Sequence, residues 1–208
     1  MKLIGMLDSP YVRRSAISML LLGLKFEHQS LSVFRSFNEF QLINPVVKAP
    51  TLVCDDDEVL MDSTLIIAYA EAFAGKRLMP ASLPATQTAL QIIGLALAAC
   101  EKSVQIIYEH NLRPAEKQHA PWLERVRGQL DAALVALESC LGKHPLDASK
   151  GIDQAGITTA VVWHFLAEMQ PEVARTADYP RLAAFSAQAE ALPEFLAAPH
   201  GDGVVSFR

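Results

Sequence analysis

Ser9 stands immediately before Pro10, where an apolar helical pattern begins, and Asp62-Ser63 stands where a second such pattern begins. A serine in that place has two chemistries open to it. It is an ordinary N-cap, with proline at the first helical position. Alternatively, its hydroxyl joins the partial positive charge and unpaired N–H groups of the helix N-terminus in stabilising an anion, a thiolate or a phosphate. A hydroxyl donor there lowers a thiol pKa from its reference of about 8.5. The two roles are compatible, because the backbone can cap while the hydroxyl points outward. Asp62-Ser63 offers a carboxylate, a hydroxyl and free backbone N–H groups. Either the acid simply favours the helix dipole, or the pair captures an amino-acid head group. In the second case Ser63 and the adjacent N–H take its carboxylate and Asp62 its ammonium.

Between these points Asn44-Pro45-Val46-Val47-Lys48-Ala49-Pro50 leads into Thr51-Leu52-Val53-Cys54, which reads as a strand. Proline cannot donate to a sheet ladder, so Pro50 belongs at the strand's first residue or on an edge. An Ala49-Pro50 bond in that position is a candidate for the cis form. The backbone of Ala49 is then left unpaired by the sheet and free to hydrogen-bond an extended ligand. Lys48 is either a solvated loop charge or, brought to the crevice by Pro50, a partner for a ligand carboxylate. Together these are parts for holding a small peptide.

Other chemistries find little support. The histidines at 28, 110, 119, 144, 164 and 200 lack metal-ligand spacing, and His164 beside Trp163 reads as a packed residue. Asp55-Asp56-Asp57 reads as a turn between two strands and lacks the further ligands calcium wants. Cys54, Cys100 and Cys140 are odd in number and far apart, which speaks against a disulfide framework and against zinc. No metal is expected. There is no Gly-rich phosphate loop and no G-x-S-x-G elbow. The net charge of -5, without a basic stripe, makes nucleic acid an unsuitable partner. No membrane span is expected, since no run of about 18 apolar residues occurs. The opening Met1–Leu7 reads as a strand rather than a signal peptide, because Asp8 interrupts it. A cytoplasmic protein is the expectation.

The 208 residues, half of them hydrophobic, suffice for one large or two small domains. Residues 2–7 read as a strand, Ser9 to Leu24 as a helix closed near Gly23, and 26–33 as a second strand. A loop or short helix covers 34–44. Strands at 50–54 and 59–61 flank the aspartate turn, and a helix runs from Ser63 to Phe73. The strand–helix–strand start implies a parallel pair, and the tight turn implies a hairpin. Residues 75–84, with two prolines and no period, read as a linker. Helical patterns then cover roughly 85–111, 115–141, 154–168 and 180–191. The expectation is an α/β domain over 1–76 and an all-α helical domain over 85–208. Within the second, Asp153 reads as an N-cap and Ile152 and Ile157 as a hydrophobic staple. Gly156 takes the place where a capping box wants an acid or amide. That weakens the helix start by ~0.5–1 kcal/mol unless glycine gains a compensating contact.

Ser9-Pro10-Tyr11-Val12-Arg13-Arg14, Asn44-Pro45-x-x-Lys48-Ala49-Pro50 and Asp62-Ser63, in this order and with the change to helical sequence behind them, resemble the cytosolic glutathione S-transferases over essentially the whole chain. The resemblance implies a thioredoxin-like N-terminal domain, an all-α C-terminal domain, a homodimer, and glutathione bound along the first domain as co-substrate. It implies that Ser9 donates to the glutathione sulfur. Ala49, before a cis Pro50, would pair by backbone with the cysteinyl part, Asp62 and Ser63 would hold the γ-glutamyl end, and Lys48 the glycyl carboxylate. The implied chemistry is attack of the thiolate on a small hydrophobic electrophile, a detoxification reaction. Relatives with cysteine at the first-helix position run thiol exchange through a mixed disulfide, which Ser9 cannot form. The double-serine signature of maleylacetoacetate isomerases is absent.

The chain also departs from the family's pattern. Val47 stands where many relatives have glycine, Ala49 where many have valine or isoleucine, and Asp62 where glutamate is more frequent. The second substrate would lie against Tyr11, Tyr108 and Trp163, each of which also reads as a core aromatic, Trp163 more so than Tyr108. Two other functions share the scaffold: a glutathione-dependent peroxidase or dehalogenase, and a non-catalytic module for binding or association.

Overall fold

Gly5 ends the first strand. Its φ of +134° belongs to a region that only glycine occupies comfortably. A Cβ there would also lie 2.6 Å from Val12 Cγ2 and 3.1 Å from the Ala49 Cβ. The chain turns at this point, and the strand expected over 2–7 shortens to β1, Lys2–Ile4. The computed structural model describes Met1–Phe207. By their contacts these residues form two compact units, Met1–Leu78 together with the residues from Glu190 onward, and Met79–Ala189.

In the first unit β1 is followed by α1 (Pro10–Leu21), β2 (Glu27–Gln29), α2 (Phe37–Ile43), β3 (Thr51–Val53), β4 (Val59–Met61) and α3 (Ser63–Ala74). The four strands form one sheet in the order β2-β1-β3-β4. β1 and β2 are parallel and β3 and β4 an antiparallel hairpin, both as expected, while β1 and β3 run antiparallel. The second strand also shortens, from 26–33 to three residues, because β1 offers it only three partners. Leu3 and Ile4 point to opposite faces, as neighbours on a strand must, and both are fully buried. The sheet is therefore covered on both sides. Ile4 meets Phe40 of α2 and Leu31, with Val47 and Ala49 against the same cluster. α1 and α3 pack on each other, α1 on β1 and α3 on β4. α1 closes as the sequence suggests: Gly23 has φ +76°, its N–H donates to the Leu20 carbonyl, and the Leu24 N–H donates to that of Met19.

The residues from Glu190 onward return to this unit. α1 carries Arg13, 1% exposed, whose Nη1 and Nη2 donate to the two Glu190 carboxylate oxygens at 2.7 and 2.6 Å. Its Nε donates to the Ala198 carbonyl at 2.8 Å, and the guanidinium lies 5.7 Å from the centre of the Phe195 ring. Farther along, the Val205 N–H donates to His28 Nδ1 at 3.1 Å, and Phe207 meets Phe26 edge-on.

His28 makes the stability of this unit depend on pH. A backbone N–H only donates, so Nδ1 is the bare nitrogen, and Nε2 carries the proton to the Gly5 carbonyl at 2.8 Å. Burial holds its pKa below the ordinary 6.5, with the Gly5 bond opposing. Between the folded and unfolded values the unfolded chain binds more protons. The contribution is thus fully present above about 6.5 and is lost as pH falls toward the lower folded value. Urea unfolding is expected to show stability falling on acidification through this window, and His28→Asn is expected to flatten that slope. An unchanged slope would exclude His28 as its source.

In the second unit α4 (Leu83–Leu112) is followed by α5 (Ala120–Lys143), α6 (Gln154–Met169) and α7 (Pro180–Glu190); the short α8 (Pro193–Ala197) belongs to the segment that returns to the first unit. Single-turn 3₁₀ helices lie at Ala115–Lys117 and Ala148–Lys150. α4 starts inside the expected linker because Ser82 caps it and Pro84 sits in its first turn, where no N–H is needed. α5 starts at Ala120 rather than 115, without a side-chain cap but again with a proline, Pro121, in the first turn. By length and composition α4 is apolar enough to cross a membrane, but it packs against α5 and α6. The N-terminus of α7 is capped from α5: the Glu138 carboxylate accepts the N–H groups of Arg181 and Leu182, each at 3.0 Å.

Asp153 caps α6 as expected, accepting the Gly156 N–H at 2.8 Å. The missing half of the capping box has a compensation. A Cβ on Gly156 would lie 2.7 Å from Ile152 Cγ1 and 3.1 Å from Phe185 Cζ, so the glycine admits both side chains onto the helix start. Gly156→Gln, which restores the box on paper, is expected to lose about 1–3 kcal/mol by overpacking. A gain in the urea midpoint would show that the box outweighs the packing.

Candidate functional site

Five of the expected site residues, Lys48, Ala49, Pro50, Asp62 and Ser63, lie around the loop before β3 and the start of α3. The loop is held by Asn44, which is 2% exposed. Its side-chain amide donates to Thr51 Oγ1 at 2.8 Å, its oxygen accepts the Val46 N–H at 3.0 Å, and the Thr51 hydroxyl donates to the Lys48 carbonyl at 2.7 Å. This clamp fixes the chain on both sides of Val47, whose φ of +51° is an outlier for a β-branched residue. The left-handed backbone accounts for a position where glycine is easier, and packing on the Phe40 cluster is what a valine gains there. The Ala49-Pro50 bond is cis. The β3 register begins at Thr51, so Ala49 lies outside the ladder. Its Cβ approaches Gly5 closely, which suits alanine.

Asp62 has φ +72° and ψ 123°, and its Oδ1 accepts the Thr64 N–H at 2.9 Å, capping α3. Its other oxygen lies 3.7 Å from Lys48 Nζ. Both side chains are about half exposed, so this pair is worth only about 0–1 kcal/mol and exchanges easily for a charged ligand. Ser63 is buried at 4% exposure. Its Oγ accepts from Arg14 Nη1 at 2.9 Å, and the same nitrogen donates to Thr64 Oγ1 at 3.2 Å. Arg14 was not singled out among the site residues by the sequence; its only signal is a second arginine in a helix that needs one to hold Glu190.

Ser9 is the N-cap of α1. Its Oγ accepts the Val12 N–H at 3.4 Å, a long bond, and as an acceptor it keeps its own proton to give. Both readings of this serine therefore remain compatible. Next to it, burial raises the pKa of Asp8 above the ordinary carboxylate value, opposed chiefly by His200.

The three aromatic residues divide differently. Tyr11 is half-buried in the first turn of α1. Tyr108, on α4, is 43% exposed. Trp163, on α6, is 6% exposed and meets Tyr179 edge-on at 5.9 Å, which makes it part of its own unit's core. Among the described residues no cluster of His, Cys, Asp or Glu could hold a metal ion.

A small α/β unit with an ordered pre-strand loop and a polar helix start, joined to a helical unit, has close parallels. The chain is 28% identical to a glutathione transferase family member from Pseudomonas fluorescens Pf-5 solved with bound glutathione, with 95% of this chain and 97% of that one covered and a TM-score of 0.81. It is 25% identical to a glutathione S-transferase from Methylobacterium radiotolerans JCM 2831 in complex with glutathione sulfonate, covering 100% and 98% with a TM-score of 0.86. Among curated proteins, the uncharacterized GST-like protein YibF of Escherichia coli K12 is 29% identical over 166 residues, 78% of either chain. The family model "Glutathione S-transferase, N-terminal domain" matches residues 3–77, and "Glutathione S-transferase, C-terminal domain" matches residues 120–188. With both domains matched in order, and the fold agreeing along nearly its whole length, the chain belongs to the glutathione S-transferase family.

Proposed function

We propose that the protein is a glutathione transferase that conjugates the glutathione thiolate to small hydrophobic electrophiles. The observation that carries this reading is the Asp62-Ser63 turn. Holding a non-glycine residue at such a φ/ψ costs about 1–3 kcal/mol, and strain of this kind gathers at ligand sites. Here it sets a carboxylate, a buried hydroxyl and an open helix N-terminus at one point. Ser63 and the N-terminal N–H groups of α3 take the γ-glutamyl carboxylate, and Asp62 its ammonium. The Ala49 backbone pairs with the cysteinyl unit, and Lys48 leaves its weak pair with Asp62 for the glycyl carboxylate.

The thiol proton passes to solvent, and the Ser9 hydroxyl donates to the resulting thiolate. The sulfur lone pair forms the new carbon–sulfur bond while the leaving group departs with its bonding electrons. Most of the acceleration comes from proximity and from stabilising the thiolate. The relatives solved with glutathione or glutathione sulfonate support the choice of ligand. The reading includes a cytoplasmic homodimer. Leu65 and Phe73 on α3, 64% and 56% exposed, give a second copy apolar surface to cover, and light scattering reads that state directly.

Calorimetric titration with reduced glutathione and with S-methylglutathione is the test. Saturable binding of both establishes the tripeptide site. Thioether formation with an aryl halide then separates conjugation from peroxide reduction, which yields glutathione disulfide, and from dehalogenation of other halides. No binding at millimolar ligand would move the protein to the association modules. Asp62→Asn sharpens the assignment. Asparagine keeps the capping oxygen and tolerates positive φ, but it lacks the charge for the ammonium. Glutathione affinity is expected to fall roughly tenfold with little change in urea stability; unchanged affinity would remove Asp62 from the site.

A further inference from the structure

We propose that Arg14 is a positioning residue for the glutathione α-carboxylate, acting through the hydroxyls of Ser63 and Thr64; the inference rests on the glutathione reading above. The two consecutive arginines of α1 have separate tasks. Arg13 is spent on Glu190 and Ala198. Arg14, 1% exposed, directs Nη1 to Ser63 Oγ at 2.9 Å and Thr64 Oγ1 at 3.2 Å. These are the first two residues of α3.

A guanidinium has donors only. A hydroxyl that accepts from it must send its own proton elsewhere, so Ser63 and Thr64 turn their O–H groups away from Arg14. The N–H groups of the first helical turn have no partner inside the helix and are open to a ligand. The Thr64 N–H is already committed to Asp62, which leaves the Ser63 N–H and the two hydroxyls for an anion. Arg14 thereby orients two donors before the ligand arrives. It also sets a full positive charge behind them in a buried place, where screening by water is weak. A carboxylate at this helix start meets oriented donors, a helix dipole and a cation in line. Any ligand that lacks the carboxylate gains nothing from Arg14.

That last point separates positioning from a merely structural pin between α1 and α3. Wild type, Arg14→Lys and Arg14→Met are titrated calorimetrically with glutathione and with γ-aminobutyryl-cysteinylglycine, the analogue that lacks only the α-carboxylate. Wild type is expected to prefer glutathione. Arg14→Met is expected to lose roughly tenfold or more in glutathione affinity, with the analogue affected less than about twofold. Arg14→Lys, which keeps the charge but not the planar fork, is expected to fall between. The pH at which bound glutathione ionises, read by thiolate absorbance, stays at the wild-type value.

Equal losses for both ligands, or no loss for glutathione, overturn the proposal. If Arg14→Met fails to fold, the ligand difference in Arg14→Lys decides the matter alone. Failure of wild type to bind glutathione at all overturns the functional reading itself and is seen before any variant is made.

Discussion

Glu190→Ala is expected to destabilise the protein by about 3–5 kcal/mol, because it leaves a buried guanidinium without its counter-charge. The Arg13 side chain is 2% exposed and that of Glu190 is 22% exposed. The asymmetry sets the order of effects. Arg13→Met leaves behind a carboxylate that water can reach, so it is expected to cost less than Glu190→Ala. The double variant Arg13→Met/Glu190→Ala is expected to recover part of the loss, since a buried pair replaced on both sides is close to neutral. Urea unfolding of the three variants supplies the cycle. The segment from Glu190 to Phe207 should loosen first, because Arg13 also holds the Ala198 carbonyl. Faster amide exchange at Val205, whose N–H is bound to His28, would report it. Loss of less than about 1 kcal/mol in Glu190→Ala would mean that water reaches the guanidinium and the pair behaves as a surface one.

Ser9→Ala is expected to slow conjugation at neutral pH by about 10²–10³-fold, the usual consequence of removing one donor to a developing or stabilised anion. Glutathione affinity should change little, because the charged ends of the tripeptide are held elsewhere. The cap is a small part of the effect: with Val12 N–H at 3.4 Å from Oγ, its loss is expected near the low end of capping energies, about 0.5 kcal/mol. The pH profile carries the sharper information. In wild type the rate should level off below the free thiol's pKa of about 8.5, and in Ser9→Ala the plateau should move up toward it. Conjugation at the wild-type rate across pH would remove Ser9 from the chemistry.

Much of the site was legible because its signals are local. A cap followed by proline, a proline opening a strand, and an acid with a serine at a helix start each declare a backbone conformation to their neighbours. Caps and turns at Ser9, Gly23, Asp62 and Asp153 accordingly stand where the residues suggested. The parallel pair and the hairpin follow from connection length alone. Strand ends were not legible, since a strand is only as long as its partner and β1 stops at Gly5. Pro84 and Pro121 read as linker or interior when they are first-turn residues. The contact that compensates for Gly156 comes from Ile152 and from Phe185, the latter far along the chain, and so has no local signal.

By itself the sequence determined the two kinds of domain, their order, and the capping and turn residues that build the candidate site, because each depends on interactions within a few residues. Only the tertiary structure decided that Arg14 stands behind Ser63, that Asn44 and Thr51 clamp the loop before Pro50, that Glu138 caps α7, and that the segment from Glu190 onward returns to Arg13 and His28. Apart from the Asn44–Thr51 clamp, these contacts join residues 44 to 177 positions apart. A buried donor or charge must find a partner, but which one it finds is settled when the core closes, and no periodicity in the chain records that choice.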